Sequence, residues 1–130
     1  MDEVYLHKEL TAEIINRFYK VYNTLGYGFL EKVYEKALKY ELEKAGFNVE
    51  RQKPINVYYE TELVGEYFAD LLVENKVIIE LKAAETICEE HENQLINYLK
   101  ATEIEVGLLL NFGKKPEVKR KIFTNKLAHR

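Results

Sequence analysis

Residues 64–83 read VGEYFADLLVENKVIIELKA, and their alternation decides the fold. A period of two on either side of Glu74, Asn75 and Lys76 predicts two strands joined by a short turn. Ala69, Leu71, Val73, Val77, Ile79, Leu81 and Ala83 take the odd positions, so one face of this hairpin is apolar. Asp70, Glu80 and Lys82 take even positions, and regular strands place them together on the opposite face.

Upstream, Asn48 to Tyr59 has strand character, interrupted by Pro54, which fits an edge strand or a bulge. Glu60, Thr61 and Glu62 make a reversal into the hairpin, so three antiparallel strands in succession are expected. Before them, Leu10, Ile14, Ile15, Phe18, Val21, Tyr22 and Leu25 recur at helical spacing, which predicts an amphipathic helix over Lys8 to Leu25. Gly26 then fits a helix end. A second helix is expected from about Phe29 to Ala45, with Leu30, Val33, Tyr34, Ala37, Leu38, Glu41 and Leu42 on its buried stripe. Downstream, Thr86 and Glu89 have the spacing of a capping box opening a third helix, and VGLLLN, residues 106–111, reads as a buried strand. A helix between two strands suggests a crossover and a parallel pair, and VKRKIF, residues 118–123, suggests a short terminal strand. The fold class is therefore α/β, a mixed β-sheet flanked by helices.

A length of 130 residues with 47% hydrophobic content suits one domain, 1–130, with an ordinary core. The single cysteine, Cys88, excludes an intrachain disulfide and a cysteine-rich zinc site, and fits a cytoplasmic protein. No apolar run has the length of a membrane span, so no membrane partner is expected. The net charge of −3 conceals an asymmetry, because Lys114, Lys115, Lys119, Arg120, Lys121, Lys126 and Arg130 all lie at the C-terminal end. They are either a solvated tail or local phosphate contacts. Ten tyrosines exceed the needs of a small core and predict a homodimer, with the first two helices as one interface.

Asp70 and Glu80 offer the hard oxygen ligands that Mg2+ or Mn2+ prefers, and the Leu81 carbonyl adds a third. Lys82 can then orient water or stabilise charge on a phosphate, a combination suited to phosphodiester hydrolysis. The plainer alternative is a surface Asp and Glu with Lys as counterion. The trio is expected to point toward Glu31 on the second helix, on the sheet face opposite Leu71, Ile79 and Leu81. Glu31 stands in the first turn, where a carboxylate is also favoured by the helix dipole alone. Glu35, one turn on, reads as a surface residue with Lys39 as its partner. Gln94 and Tyr98 share a face of the third helix and can position water or substrate, whereas His91 is the weakest catalytic candidate. No HExxH zinc spacing, GxxxxGK phosphate loop or GxSxG nucleophile motif is present.

Gly28, Glu31 and Tyr34 in GFLEKVY, with YYETELVGEYFADLLVENKVIIELKA and HENQLINYLKATEIEVGLLLNFG, resemble the GxxExxY family. That family in turn resembles the PD-(D/E)XK nuclease superfamily, which implies a restriction-endonuclease-like core and a metal-dependent phosphodiesterase site. The resemblance implies catalytic roles for Glu31, Asp70, Glu80, Lys82 and Gln94, with metal held by Asp70, Glu80 and the Leu81 carbonyl. It implies Mg2+ or Mn2+ as cofactor and DNA or RNA as partner. Ala69 replaces the Pro of the superfamily name, and Phe68 stands where relatives often carry a basic side chain. A noncatalytic interaction module on the same fold is the alternative.

Overall fold

Turn chemistry fixes the central hairpin. In the computed structural model, which describes residues 6–124, Glu74 and Asn75 both take left-handed backbone, φ 55 and 54. The Lys76 N–H donates to the Val73 carbonyl at 2.9 Å, giving the tight reversal whose twist matches that of paired strands. It joins β2 (Glu62–Val73) to β3 (Val77–Lys82). Upstream lie α1 (Lys8–Leu25), α2 (Glu31–Lys44) and β1 (Val49–Tyr59). Downstream, α3 (Glu89–Lys100) crosses from β3 to β4 (Val106–Phe112), and β5 (Pro116–Ile122) follows.

The sheet order is β1-β2-β3-β4-β5, with β3 and β4 parallel and the other neighbours antiparallel. Pro54 is tolerated because β1 is an edge strand. On one face, Leu71, Val73, Ile79, Leu81, Leu108 and Leu110 pack on Ile14, Phe18, Tyr34, Leu38 and Leu42 of α1 and α2. On the other, Ile55, Ala69, Leu72, Ile78 and Leu109 pack on Leu95, Tyr98 and Leu99 of α3. Because both faces are covered, β4 is buried along its whole length and reads as a continuous apolar run. The α/β mixed sheet flanked by helices is thus the observed architecture.

The hairpin departs from simple alternation at one level. Leu71 faces α1 and α2 while Ala69, also odd, faces α3. The crossover lies at Asp70 and at Gln52, which sits between the registered pairs Arg51–Leu71 and Lys53–Ala69 and has left-handed backbone, φ 54. One such residue rotates the strand and exchanges the two faces beyond it. The expectation that Asp70, Glu80 and Lys82 share one face turned toward α2 is therefore corrected. The apolar residues Leu71, Ile79 and Leu81 face α2, and the carboxylates meet at the level where the two strands part.

Three further expectations change. Helix α2 starts at Glu31, with Leu30 as an extended N-cap; Leu30 is 78% exposed and Val33 39%, while Glu35 takes a buried place. Glu41 is no core contact either but an ionic tie, 3.1 Å from Lys20 of α1. Helix α3 is capped at Cys88 rather than Thr86, the Cys88 N–H donating to His91 Nδ1 at 3.3 Å. Thr86 instead donates to Glu117 of β5 at 3.1 Å, and Glu117 also accepts from the Ile87 N–H and Asn111 Nδ2.

That polar clasp leaves no room at Gly113. A Cβ there would collide with the Ala84 carbonyl and stand 3.0 Å from Asn111 Nδ2 and 3.2 Å from the Glu85 carbonyl. Gly113→Ala is expected to cost about 1–3 kcal/mol in chemical denaturation. An unchanged midpoint would mean that the clasp yields freely.

Candidate active site

Beyond Leu71–Ile79 the β2–β3 ladder ends, and side chains take over its hydrogen bonds. Glu80 Oε2 accepts from the Asp70 N–H at 2.9 Å, and Asp70 Oδ2 accepts from the Leu81 N–H at 2.8 Å. These bonds place two carboxylates side by side, with Asp70 Oδ1 and Glu80 Oε1 outside that exchange. Glu80 is only 5% exposed. Burial first, and then the neighbouring Asp70 charge, push its carboxyl up to about 8. Burial also raises Asp70, with Glu35 and Glu31 adding to it, while the Leu81 N–H and Lys82 oppose the rise. A buried and a half-buried carboxylate that repel each other are stabilised by any cation placed between them.

Lys82 follows Glu80 by two positions on β3, and its charge reaches both carboxylates. The Leu81 side chain is buried against α1 and α2, so what it offers the site is backbone. Glu31 is the first residue of α2 and exposed, and its charge is felt at Asp70 and at Glu80. Its place depends on Tyr34. The Tyr34 hydroxyl donates to the Gly26 carbonyl at 2.7 Å and accepts from the Phe29 N–H at 3.1 Å. Its ring stacks on Phe112 with centroids 4.1 Å apart and planes at 10°. Gly28, at φ 110, takes backbone that a side chain would strain. Gly28, Glu31 and Tyr34 thus form one device that sets where α2 begins.

Glu35 is the site residue that reading the sequence missed. It is buried, ion-paired to Arg51 Nε at 2.8 Å and hydrogen-bonded by Gln52 Nε2 at 3.2 Å. Gln52 Nε2 also lies 3.5 Å from Asp70 Oδ1, the outer limit of a hydrogen bond, so this amide links the helix acid to the strand acid. Lys39, the partner expected for Glu35, pairs with Glu43 at 3.0 Å. The signal was the spacing, since residues four apart share a helix face and Glu31 was already assigned to the site.

Gln94 and Tyr98 of α3 line a groove of about 840 Å³ against the β1–β2 hairpin. Burial, and then the charges of Glu80 and Asp70, raise the Tyr98 hydroxyl to about 12, and Tyr98 packs in one cluster with Ala69, the residue before Asp70 on β2. His91 is spent on the helix cap. Of the basic C-terminal residues, Lys121 pairs with Glu92 at 2.6 Å and Arg120 donates to the Leu6 carbonyl, while Lys126 and Arg130 lie outside the described residues.

Among the described residues no three His, Cys, Asp or Glu side chains form a ligand set for a metal ion. The donors that do adjoin are two carboxylates. Hard oxygen donors in that number fit Mg2+, which retains several waters and commonly takes one or two carboxylates together with substrate phosphate.

A family model described as the PD-(D/E)XK nuclease superfamily matches residues 8–121. Among solved structures the chain is similar to one described as "Crystal structure of SSO0001", with a TM-score of 0.55 and 19% identity. The match covers 75% of this chain and 53% of that one, so the chain spans about half of that structure, and the likeness is one of fold. No curated protein matches.

Proposed function

The chain belongs to the PD-(D/E)XK nuclease superfamily, and from that premise we propose that it is a metal-dependent phosphodiester hydrolase acting on nucleic acid. Within the superfamily we assign it to the GxxExxY family, on Gly28, Glu31 and Tyr34. The observation that carries the activity is the Asp70–Glu80 pair at the parting of β2 and β3, each carboxylate steadied by the other strand's backbone N–H. Asp70 and Glu80, with the Leu81 carbonyl, would hold Mg2+ or Mn2+. Such an ion, when bound, supplies positive charge to the phosphoryl group and makes water more acidic.

The remaining roles belong to the chain's own side chains. Lys82 holds a phosphate oxygen or a water by a charge-assisted hydrogen bond. Glu31, at the mouth of α2, accepts a hydrogen bond from water, and Glu35 with Gln52 fixes the Asp70 carboxylate. Gln94 positions substrate along α3.

Cleavage assays with Mg2+ or Mn2+ on single-stranded and duplex DNA and RNA test this reading, with Asp70→Ala as the blank. Lys82→Ala is expected to keep metal binding, read by calorimetry, and to lose about 10²–10³ in rate, the cost of removing one transition-state donor. Activity that survives in both Asp70→Ala and Glu80→Ala would belong elsewhere. The second reading, a noncatalytic interaction module, is favoured by Phe68, which is exposed where a basic side chain would offer a phosphate contact. Metal binding without cleavage of any of the four substrates would establish it.

We further propose a homodimer through the start of α2, where Tyr27, Phe29, Leu30 and Val33 are exposed together, and residence in the cytoplasm. Light scattering that returns only the monomer mass across salt conditions would remove the dimer. No helix among the described residues is long and apolar enough to cross a membrane.

A further inference from the structure

The groove between α3 and the β1–β2 hairpin has a chemistry of its own. Asn93 and Gln94, with Asn97 about one turn on, line its helical wall, and Asn56 lies on the hairpin side. The Tyr67 and Tyr98 rings meet within it, with centroids 5.8 Å apart and planes at 47°. Its lining carries one cation, Lys100, and one carboxylate, Glu90, so the wall has no net charge.

That composition selects among ligands. Affinity for a duplex comes chiefly from rows of Lys and Arg on phosphates, and this groove has no such row. Carboxamides carry both donor and acceptor and match the edges of bases. Aromatic rings accept base faces, which a duplex hides and an unpaired strand presents. The hairpin adds a second aromatic ring to this lining, Tyr58, which is exposed.

We propose that the groove binds single-stranded nucleic acid, stacking an unpaired base on Tyr67 and reading its edge with the α3 carboxamides. The phosphate that follows such a base then reaches the Asp70–Glu80 pair past Tyr98. Only this last step rests on the hydrolase reading above; the binding site stands on the groove.

The test is fluorescence anisotropy of the full chain with one labelled sequence, presented in EDTA as single-stranded DNA, single-stranded RNA and duplex. Single strands are expected to bind about tenfold tighter than duplex or better, and Tyr67→Ala to weaken them by about tenfold, as loss of one stacked base implies. Asn97→Asp, which sets a carboxylate on an exposed helix position, should weaken single strands as well. The slope of log K against log salt should be shallow, about −0.7 for each phosphate contacted and few contacts in all. The DNA and RNA arms decide whether the 2′-hydroxyl is read.

Duplex bound as tightly as single strand, or wild-type binding by both variants, would overturn the groove assignment. Failure to bind any oligonucleotide would overturn it too and leave the groove to a protein segment. The hydrolase reading fails separately. Single strands held through Tyr67 yet uncut in Mg2+ and Mn2+ remove catalysis and keep the groove, whereas metal-dependent cutting indifferent to Tyr67→Ala does the reverse.

Discussion

Glu80→Gln is expected to make the metal-free protein more stable at pH 8 and to lower metal-dependent cleavage more than about a hundredfold, since an outer partner of a ligand already accounts for about 10–100-fold. The stability effect follows from linkage. In the folded protein the Glu80 carboxyl is raised from 4.5 to about 8, by burial and then by Asp70. The folded state therefore holds this proton more tightly than the unfolded chain does. The stability that the neutral group confers is fully present below about 4.5, declines through the window, and is lost once pH passes about 8. The slope that this one group contributes within that window is at most about 1.4 kcal/mol per pH unit. Asp70, raised in the same direction, adds to the decline. A glutamine has no proton to lose, and its amide oxygen can still accept the Asp70 N–H. Melting curves in EDTA should coincide near the low end of the window and separate toward its top, with the variant higher. Curves that stay parallel would contradict the burial argument. Because a cation takes the ionised carboxylates, wild-type metal affinity should rise with pH and binding should release a proton.

The same physics explains what could be read from residues alone. The hairpin was legible because each level agreed: alternation on both arms, a turn at Glu74 and Asn75, and a core of one parity over Leu71 to Leu81. The parallel β3–β4 pair was legible because a helical stretch lay between two apolar strands. Alternation failed at Gln52, since a single left-handed residue leaves no compositional mark and yet exchanges faces for the rest of β1 and β2. The site inherited that failure. The structure brings Asp70 and Glu80 together, but their meeting comes from parting strands and not from a shared face. Glu35 was missed because its partner, Arg51, is remote in sequence, and local rules favoured Lys39. Thr86 was misread for a similar reason: Glu117 of β5 claims its hydroxyl, and capping rules see only neighbours along the chain. Leu30 and Val33 fit the helical period, but the extended N-cap at Leu30 turns the chain before the stripe begins.

Tyr34→Ala is expected to cost about 3–5 kcal/mol, the range for deleting a buried aromatic side chain, and to abolish activity through the fold and not through chemistry. Tyr34 has no exposed surface. It stacks on Phe112 at 4.1 Å, meets Phe29 edge-on at 6.1 Å, and is the hub through which α2, β4 and the glycine loop touch. Tyr34→Phe separates packing from hydrogen bonding. It keeps the ring on Phe112 but strips the Gly26 carbonyl and the Phe29 N–H of their partner, with an expected cost of about 1–3 kcal/mol if those groups stay dry. Denaturant titration should show both midpoints lowered, Ala far more than Phe, with the slope m unchanged because the same surface is exposed on unfolding. The two variants also separate structure from function. If Tyr34 acts by setting where α2 begins, Tyr34→Phe remains folded yet cleaves more slowly, because Glu31 no longer has a fixed origin. Glu31→Gln should then add little further loss on the Tyr34→Phe background, as residues in one network are non-additive. Fully additive losses would mean that Tyr34 and Glu31 act independently, and that the motif joining them is a coincidence of packing.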